Sequence, residues 1–293
     1  MPEVEILVRH LGPLVVGERI GKVSVHRPKS IRPISASRMC RAVEGAKIIG
    51  LRRRAKYLLF ELQKNRGETY LMLGHLGMTG RMYVQPAREE LPKHAAVSFK
   101  LGREVFVFED TRYFGRLTLD TASLDLLGPE PLSKDFNGEV LHAALKRCKQ
   151  AIKPKLLDQS SLAGVGNIYA SEALWWARIS PRKMSGRLTR SQCGVLAQSI
   201  VKVLSEAIES GSTVPLDFAG VEKGDGLFYY GSQDEEEDYE ERLMVYDWEG
   251  EPCERCETPI RKIVQAARGT YFCPKCQRGS EWLIDLTKAG LFS

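Results

Sequence analysis

Four of the seven cysteines fall in two Cys-x-x-Cys pairs, Cys253 with Cys256 and Cys273 with Cys276, sixteen residues apart. Each pair offers two thiolates to one ion, and two such pairs close a tetrahedral sulfur shell around zinc. Four protein sulfurs leave no position for water or substrate, so the spacing predicts one structural Zn2+ and no catalytic metal. Cys40, Cys148 and Cys193 are scattered, which fits reduced thiols rather than a disulfide scaffold. A second chemistry is offered by the opening MPEVEILVRHL. Pro2 can serve as the first-turn proline of an amphipathic helix. With Met1 trimmed it would instead carry a free secondary amine, a nucleophile able to form an iminium with an aldehyde-level carbon.

Several further stretches have two readings each. Arg261 and Lys262 lie on one limb of the hairpin expected between the cysteine pairs, with Arg268 beside Gly269 where it should reverse. There Arg268 is either a forked phosphate donor or part of a solvated tip. LRRRAKYLLF (51–60) reads as one strand with Arg52, Arg54 and Lys56 on one face, a repulsive row that a polyanion or solvent must relieve. HLGMTGR and FEDTRYFGR place Met78, Arg112 and Phe114 at turns, either as core residues or as wedges that unstack a base step. Asn167, in GVGNIYASEALW, sits where a helix begins, and it either caps that helix or helps its N-terminus take a phosphate.

The elements that must position these residues are legible in outline. At 293 residues the chain suits two domains. Val4, Leu7, Val8 and Leu11 have helical spacing, so a first helix should end at Gly12-Pro13 or Gly17. The runs KVSVH, YLLFEL, TYLMLGHL, RMYVQ, AAVSFKL, EVFVFED and RLTLD between Lys22 and Asp120 predict a sandwich or barrel. LGPEPL (127–132) reads as a linker. GEVLHAALKRCKQAI, NIYASEALWWARI and Ser191–Ser210 then have helical period, the last opened by a capping box of Thr189 and Gln192. Gly211–Gly231 reads as a surface loop running into the acidic block DEEEDYEE, and strand-like runs resume from Val245. That block holds seven of the 37 acidic residues, leaving 30 against 43 Lys and Arg elsewhere, so the net charge of +6 understates a balance suited to a polyanion. No apolar run has membrane-spanning length and no signal-peptide layout opens the chain, so a soluble, cytoplasmic protein is expected, with no membrane partner.

Taken in order, PE, RRRAKYLLF, HLGMTG, DTRYFG, LGPEPL, GVGNIYASE and the cysteine pairs followed by QR resemble the formamidopyrimidine-DNA glycosylase family across nearly the whole chain. The resemblance implies an α+β fold: an N-terminal helix with an antiparallel β-sandwich (1–126), a linker (127–132), a helix-two-turn-helix domain with a lesion-capping loop and the acidic insertion (133–245), and a β-hairpin zinc finger (246–293). It implies a bifunctional glycosylase and AP lyase of bacterial type, used at the nucleoid. The enzyme would act as a monomer on double-stranded DNA containing oxidised purines (8-oxoguanine, formamidopyrimidines) or abasic sites. Pro2, Glu3, Lys56 and Arg268 form the implied catalytic set. Pro2 would be the nucleophile on the sugar C1′, giving a Schiff base that permits β- and δ-elimination, and Glu3 the acid/base at the sugar oxygen. Lys56, His75, Asn167, Tyr246, Lys262 and Arg268, with Lys153 in addition, match positions that hold phosphates around the lesion. Met78, Arg112 and Phe114 match the residues that fill the void left by the flipped nucleotide.

The chain departs from the family in two places. The family begins Pro-Glu, then Leu or Gly, then a second Pro-Glu; here PEVE occurs once, three residues shorter, so Pro2 is either the nucleophile or the second proline. The acidic block lies where the family closes a loop over the flipped base. The alternative reading is therefore a damage-sensing DNA-binding protein of the same fold that has lost its chemistry. A generic zinc-ribbon module leaves the motifs of the β domain unexplained.

Overall fold

The computed structural model describes residues 1–64, 67–211 and 243–278, and the expected capping loop and acidic block lie almost wholly outside them. The chain divides into two compact units. One contains Pro2–Asp125; the other contains Leu126–Glu209 and the described residues from 243 onward, together with Met1. Among the described residues no helix is long and apolar enough to cross a membrane.

The first unit contains α1 (Pro2–Val15), β1 (Ile20–Val25), α2 (Ala36–Val43), β2 (Lys47–Arg54), β3 (Tyr57–Lys64), β4 (Glu68–His75), β5 (Gly80–Pro86), β6 (Ala95–Leu101), β7 (Glu104–Asp110) and β8 (Arg116–Thr118). Two antiparallel four-stranded sheets form, in the orders β1-β6-β7-β5 and β2-β3-β4-β8. Their inner faces meet through Leu58, Phe60, Leu62 and Met72 from one sheet and Met82, Val97, Phe99, Phe106 and Phe108 from the other. Phe106 stacks on Phe99 at 4.2 Å and meets Phe60 edge-on at 5.7 Å, so one ring locks the two sheets. Each fully buried aromatic of this kind contributes about 1.5–3 kcal/mol over an exposed one.

Helix α1 buries Val4, Leu7, Leu11 and Val15 in the same core. It does not stop at Gly12-Pro13. Proline forfeits one backbone bond but its fixed φ is helical, and Val16 N–H closes the last turn on the Gly12 carbonyl before Gly17, at φ 98°, ends it. Residues 51–60 are not one strand but a hairpin: Arg54 pairs with Tyr57, and Ala55, buried at φ 52°, turns the chain with Lys56. The arginines therefore do not form an unrelieved row. Arg52 pairs with Glu61 across the hairpin at 2.6 Å, and Arg53 reaches Glu5 of α1 at 2.7 Å.

The second unit contains α3 (Gly138–Leu145), α4 (Ile152–Leu156), α5 (Asn167–Trp176), α6 (Arg190–Glu209) and the hairpin β9 (Arg261–Gln265) with β10 (Arg268–Phe272). The helical run expected from Gly138 to Ile152 breaks after Leu145. Lys146 leaves the helical region at ψ 135° and Arg147 is left-handed at φ 72°, and the Gln150 carbonyl, which Pro154 cannot donate to, accepts from the Ser185 N–H and hydroxyl. The capping box opening α6 forms reciprocally, with Thr189 N–H to Gln192 Oε1 and Gln192 N–H to Thr189 Oγ1, both at 3.2 Å. Leu141, Leu145, Ile152, Leu174, Leu196 and Ile200 share the core of these helices.

Candidate nucleic-acid interface and metal centre

Cys253, Cys256, Cys273 and Cys276 bring their sulfurs within 4.8 Å of one another. Three of the separations are 3.9, 3.5 and 3.3 Å. A tetrahedral zinc with four sulfur bonds of about 2.3 Å has sulfur–sulfur edges of about 3.8 Å, so the donor set fits zinc, and the separations are far from a disulfide bond. Second contacts orient the ligands: Trp175 Nε1 donates to Cys253 Sγ at 3.4 Å and Cys276 N–H to Cys273 Sγ at 3.3 Å. The zinc this site would hold is a clamp on the hairpin.

The clamp is fastened to the helices by polar contacts. Glu172, 3% exposed inside the apolar α5, accepts from three successive backbone N–H groups, those of Met244, Val245 and Tyr246, at 2.8–3.0 Å. Arg255 lies 3.6 Å over the Trp175 ring and donates to its carbonyl at 2.8 Å. Gln277 Nε2 donates to the Ile179 carbonyl. In the sequence Glu172 and Gln277 stand only as letters of GVGNIYASE and QR, with no role attached, although a lone carboxylate in ASEALWW is a signal, since a charge in an apolar helix needs a partner.

The hairpin tip gathers several of the expected residues. The reversal is at Ala266-Ala267, both at positive φ, two positions earlier than the Arg268-Gly269 expected, so Arg268 is not in the turn but is the exposed first residue of β10. The Gly269 carbonyl accepts from Lys153 Nζ at 2.6 Å and from Asn167 Nδ2 at 3.1 Å, and Asn167 Nδ2 also donates to the Tyr246 hydroxyl at 3.3 Å. Asn167 is thus no cap: the cap position is Gly166, and the buried Oδ1 of Asn167 has no hydrogen-bond partner among the described residues. Lys153 is 1% exposed and supports the tip from within. Burial, with Arg268 nearby, pushes its amine down to about 7. Lys262 lies on the facing strand beside Gly269, exposed, 5.1 Å over the Tyr271 ring and 3.6 Å from Glu249.

The sandwich unit holds its own set. Asp110, fully buried at the end of β7, accepts from the Thr79 hydroxyl at 2.6 Å, the Arg112 N–H at 3.2 Å and the Gly115 N–H at 2.7 Å. One carboxylate so ties together the two turns that carry Met78, Arg112 and Phe114. Gly77 is at φ 67°, and a Cβ there would come 2.7 Å from the Gly115 nitrogen, so the turns approach too closely for a side chain. Met78 is 73% and Phe114 58% exposed, which removes the core reading for both. The Arg112 guanidinium lies 5.9 Å from the Phe114 ring centre. His75 Nδ1 accepts the Gly77 N–H at 3.1 Å, which leaves the proton on Nε2. Burial first, then the charges of Lys56 and Arg116, hold this imidazole below its usual value, so it is neutral at pH 7. Lys56 is half-buried in the β2-β3 turn, Pro2 is the buried first residue of α1, and Glu3 follows it half-buried.

An α+β architecture with a four-cysteine zinc hairpin, a buried amide and amine converging on the hairpin tip, and an exposed Met, Arg and Phe on tied turns defines a class of zinc-clamped protein built for a polyanion with stacked rings. Comparison with known proteins makes this specific. Residues 1–117 match the model of the formamidopyrimidine-DNA glycosylase N-terminal domain, 127–217 that of the formamidopyrimidine-DNA glycosylase H2TH domain, and 250–279 that of a zinc finger found in FPG and IleRS. The formamidopyrimidine-DNA glycosylase of Ligilactobacillus salivarius is 38% identical over 285 residues, covering 94% of this chain and 98% of that protein. That of Phenylobacterium zucineum is 40% identical over 300 residues, covering 95% and 99%. Among solved structures, a Lactococcus lactis FPG mutant with a Fapy-dG containing DNA superposes with a TM-score of 0.82 at 31% identity, over 95% of this chain and 99% of that one. A MutM complex with carbocyclic 8-oxo-G containing DNA gives 0.81 at 31%, with the same coverage. The chain belongs to the formamidopyrimidine-DNA glycosylase family.

Proposed function

We propose that this protein is a base-excision-repair DNA glycosylase with AP lyase activity that removes oxidised purines, 8-oxoguanine and formamidopyrimidines, from duplex DNA. The observation that carries the reading is the exposed group of Met78, Arg112 and Phe114 on turns tied by Asp110, in a chain of this family. An arginine beside an apolar wedge supplies what a flipped nucleotide leaves behind: donors for the widowed base and a surface to fill the gap.

In this reading the secondary amine of Pro2, freed by removal of Met1, attacks the sugar C1′ as the damaged base departs. Glu3 protonates the ring oxygen as the sugar opens, and the resulting iminium draws electrons so that the 3′ and then the 5′ phosphate can be eliminated. Arg268, Lys56, neutral His75, Asn167, Tyr246 and Lys262 hold phosphates, His75 through its Nε2–H. Zinc, held by the four cysteines, keeps the hairpin rigid and takes no part in the chemistry. The same proposal has the protein act as a monomer in the cytoplasm, on the nucleoid.

The test is borohydride trapping on a duplex with 8-oxoguanine opposite cytosine, followed by peptide mass analysis. An adduct at Pro2 on protein lacking Met1 is the expected result. Selective binding to that duplex with zinc present, but no base release and no adduct, would overturn the catalytic reading and leave a sensor of the same fold.

A further inference from the structure

Tyr113 stands between Arg112 and Phe114 and turns away from both. Its neighbours are exposed, whereas its hydroxyl lies 3.1 Å from His94 Nδ1 and its ring 5.0 Å under the Arg27 guanidinium. The His94 and Tyr113 rings are 6.2 Å apart at 59°. Both partners sit on fixed backbone: the His94 carbonyl accepts the Asp110 N–H at 3.1 Å, and the Arg27 N–H donates to the Ala96 carbonyl at 3.0 Å. The Tyr113 side chain therefore ties its turn to the segments before β6 and after β1.

The backbone explains why such a tie is needed. Tyr113 has φ 57°, a left-handed conformation that Cβ sterics disfavour for any residue with a bulky side chain. A residue held there needs surroundings that over-determine it. Asp110 secures the flanks of the turn through Arg112 N–H and Gly115 N–H, which leaves the residue between them to its own side chain. At the middle residue the hold comes from the side chain. A single left-handed residue also explains the pattern of exposure, since it reverses the chain so that residues 112 and 114 come to lie near each other while 113 turns inward.

We propose that Tyr113, anchored by His94 and Arg27, is a positioning residue that sets the Arg112-Phe114 wedge and thereby governs discrimination of the base opposite the lesion. The proposal rests on the reading of this chain as a glycosylase that flips a damaged nucleotide. Loss of the anchor lets residue 113 relax toward negative φ, which separates Arg112 from Phe114 without removing either.

The experiment compares the zinc-loaded parent protein with Tyr113→Phe, His94→Ala and the double variant, after checking that thermal midpoints and zinc content are equal. Wedge insertion is read by the fluorescence of 2-aminopurine placed beside a tetrahydrofuran abasic analogue, which needs no chemistry. Discrimination is read as the ratio of 8-oxoguanine excision opposite cytosine to that opposite adenine. One neutral hydrogen bond corresponds to about a fivefold effect, so each single variant should lower the ratio about fivefold, with a matching fall in fluorescence, and the double variant should lower it no further. Parent-like values in both single variants, or losses that simply multiply, would overturn the proposal. If the parent unstacks DNA but excises nothing, the glycosylase reading fails while the fluorescence comparison still decides the role of Tyr113. If the parent does neither, both readings fall.

Discussion

The Nζ of Lys153 lies 2.6 Å from the carbonyl oxygen of Gly269, joining the start of α4 to the tip of the zinc hairpin from a position 1% exposed. The Thr270 hydroxyl, at 2.9 Å, is its second partner. An amine there can donate whether it is charged or neutral, but only the charged form bears the cost of burial. With the folded amine at about 7 and the unfolded one at about 10.4, the unfolded chain binds more protons between these values, so stability rises with pH across that window. The cost is fully present below about pH 7 and fades toward the unfolded value. Lys153→Met keeps the bulk and removes the titration. The thermal midpoint of the parent minus that of the variant, on zinc-loaded protein, should therefore increase between pH 6.5 and pH 9. A difference that stays flat would mean that this amine titrates outside that window.

Asp110 offers a test of how the wedge turns are held. Replacing it with Asn keeps the shape but puts an NH2 where one oxygen now accepts hydrogen bonds, so either Gly115 N–H or the Arg112 N–H and Thr79 hydroxyl lose an acceptor. A buried donor left unmatched costs about 1–3 kcal/mol. Asp110→Asn should lower unfolding free energy by that amount in urea and speed hydrogen exchange at Gly115, with zinc content unchanged. Parent-like exchange at Gly115 would show that the glycine contacts alone hold the turns.

How much of this was legible beforehand divides along physical lines. The Cys-x-x-Cys pairs, the alternating strands and the capping box of Thr189 and Gln192 are local patterns, and each appears in the structure where the spacing puts it. Turn positions were less legible, because Ala55, Ala266 and Ala267 adopt positive φ that alanine gives no reason to expect; strand register and buried contacts impose it. Met78 and Phe114 could be read locally as core or as wedge, and only exposure separates the two. The supporting residues were least legible. Glu172 meets its three N–H donors more than seventy residues away, and no local pattern reports such a pairing.

Removing the metal should affect the hairpin first. Four thiolates within 4.8 Å of one another repel without an ion between them, and the small apolar cluster of Trp175, Val245, Ile260 and Tyr271 leans on the clamp. Chelation, or Cys256→Ser, should release or prevent binding of one zinc per chain and change Trp fluorescence through Trp175, whose indole N–H donates to Cys253. DNA affinity should fall with it, while α3 and α6 keep their far-UV circular dichroism. Retention of tight DNA binding by protein shown to lack zinc would contradict the role assigned to the clamp.

The hairpin tip stores a correctable strain. Gln265 pairs with Arg268, leaving a two-residue reversal in which Ala266 has φ 48° and Ala267 φ 57°. Positive φ at both central residues suits Asn-Gly or Gly-Gly, and alanine in the left-handed region is disfavoured by about 1–2 kcal/mol. Ala267→Gly relieves that strain but adds freedom to the unfolded chain, which returns about 0.5–1 kcal/mol. The net expectation is a hairpin more stable by up to about 1 kcal/mol, seen as slower exchange of the ladder amides of Arg268 and Thr270 in the zinc-loaded protein. Since Arg268 follows directly, a better-populated turn should also hold its guanidinium in place, and affinity for an abasic-site duplex should stay the same or tighten. Faster exchange at these amides in the variant would show instead that the alanine methyl groups contribute packing at the tip that outweighs the backbone strain.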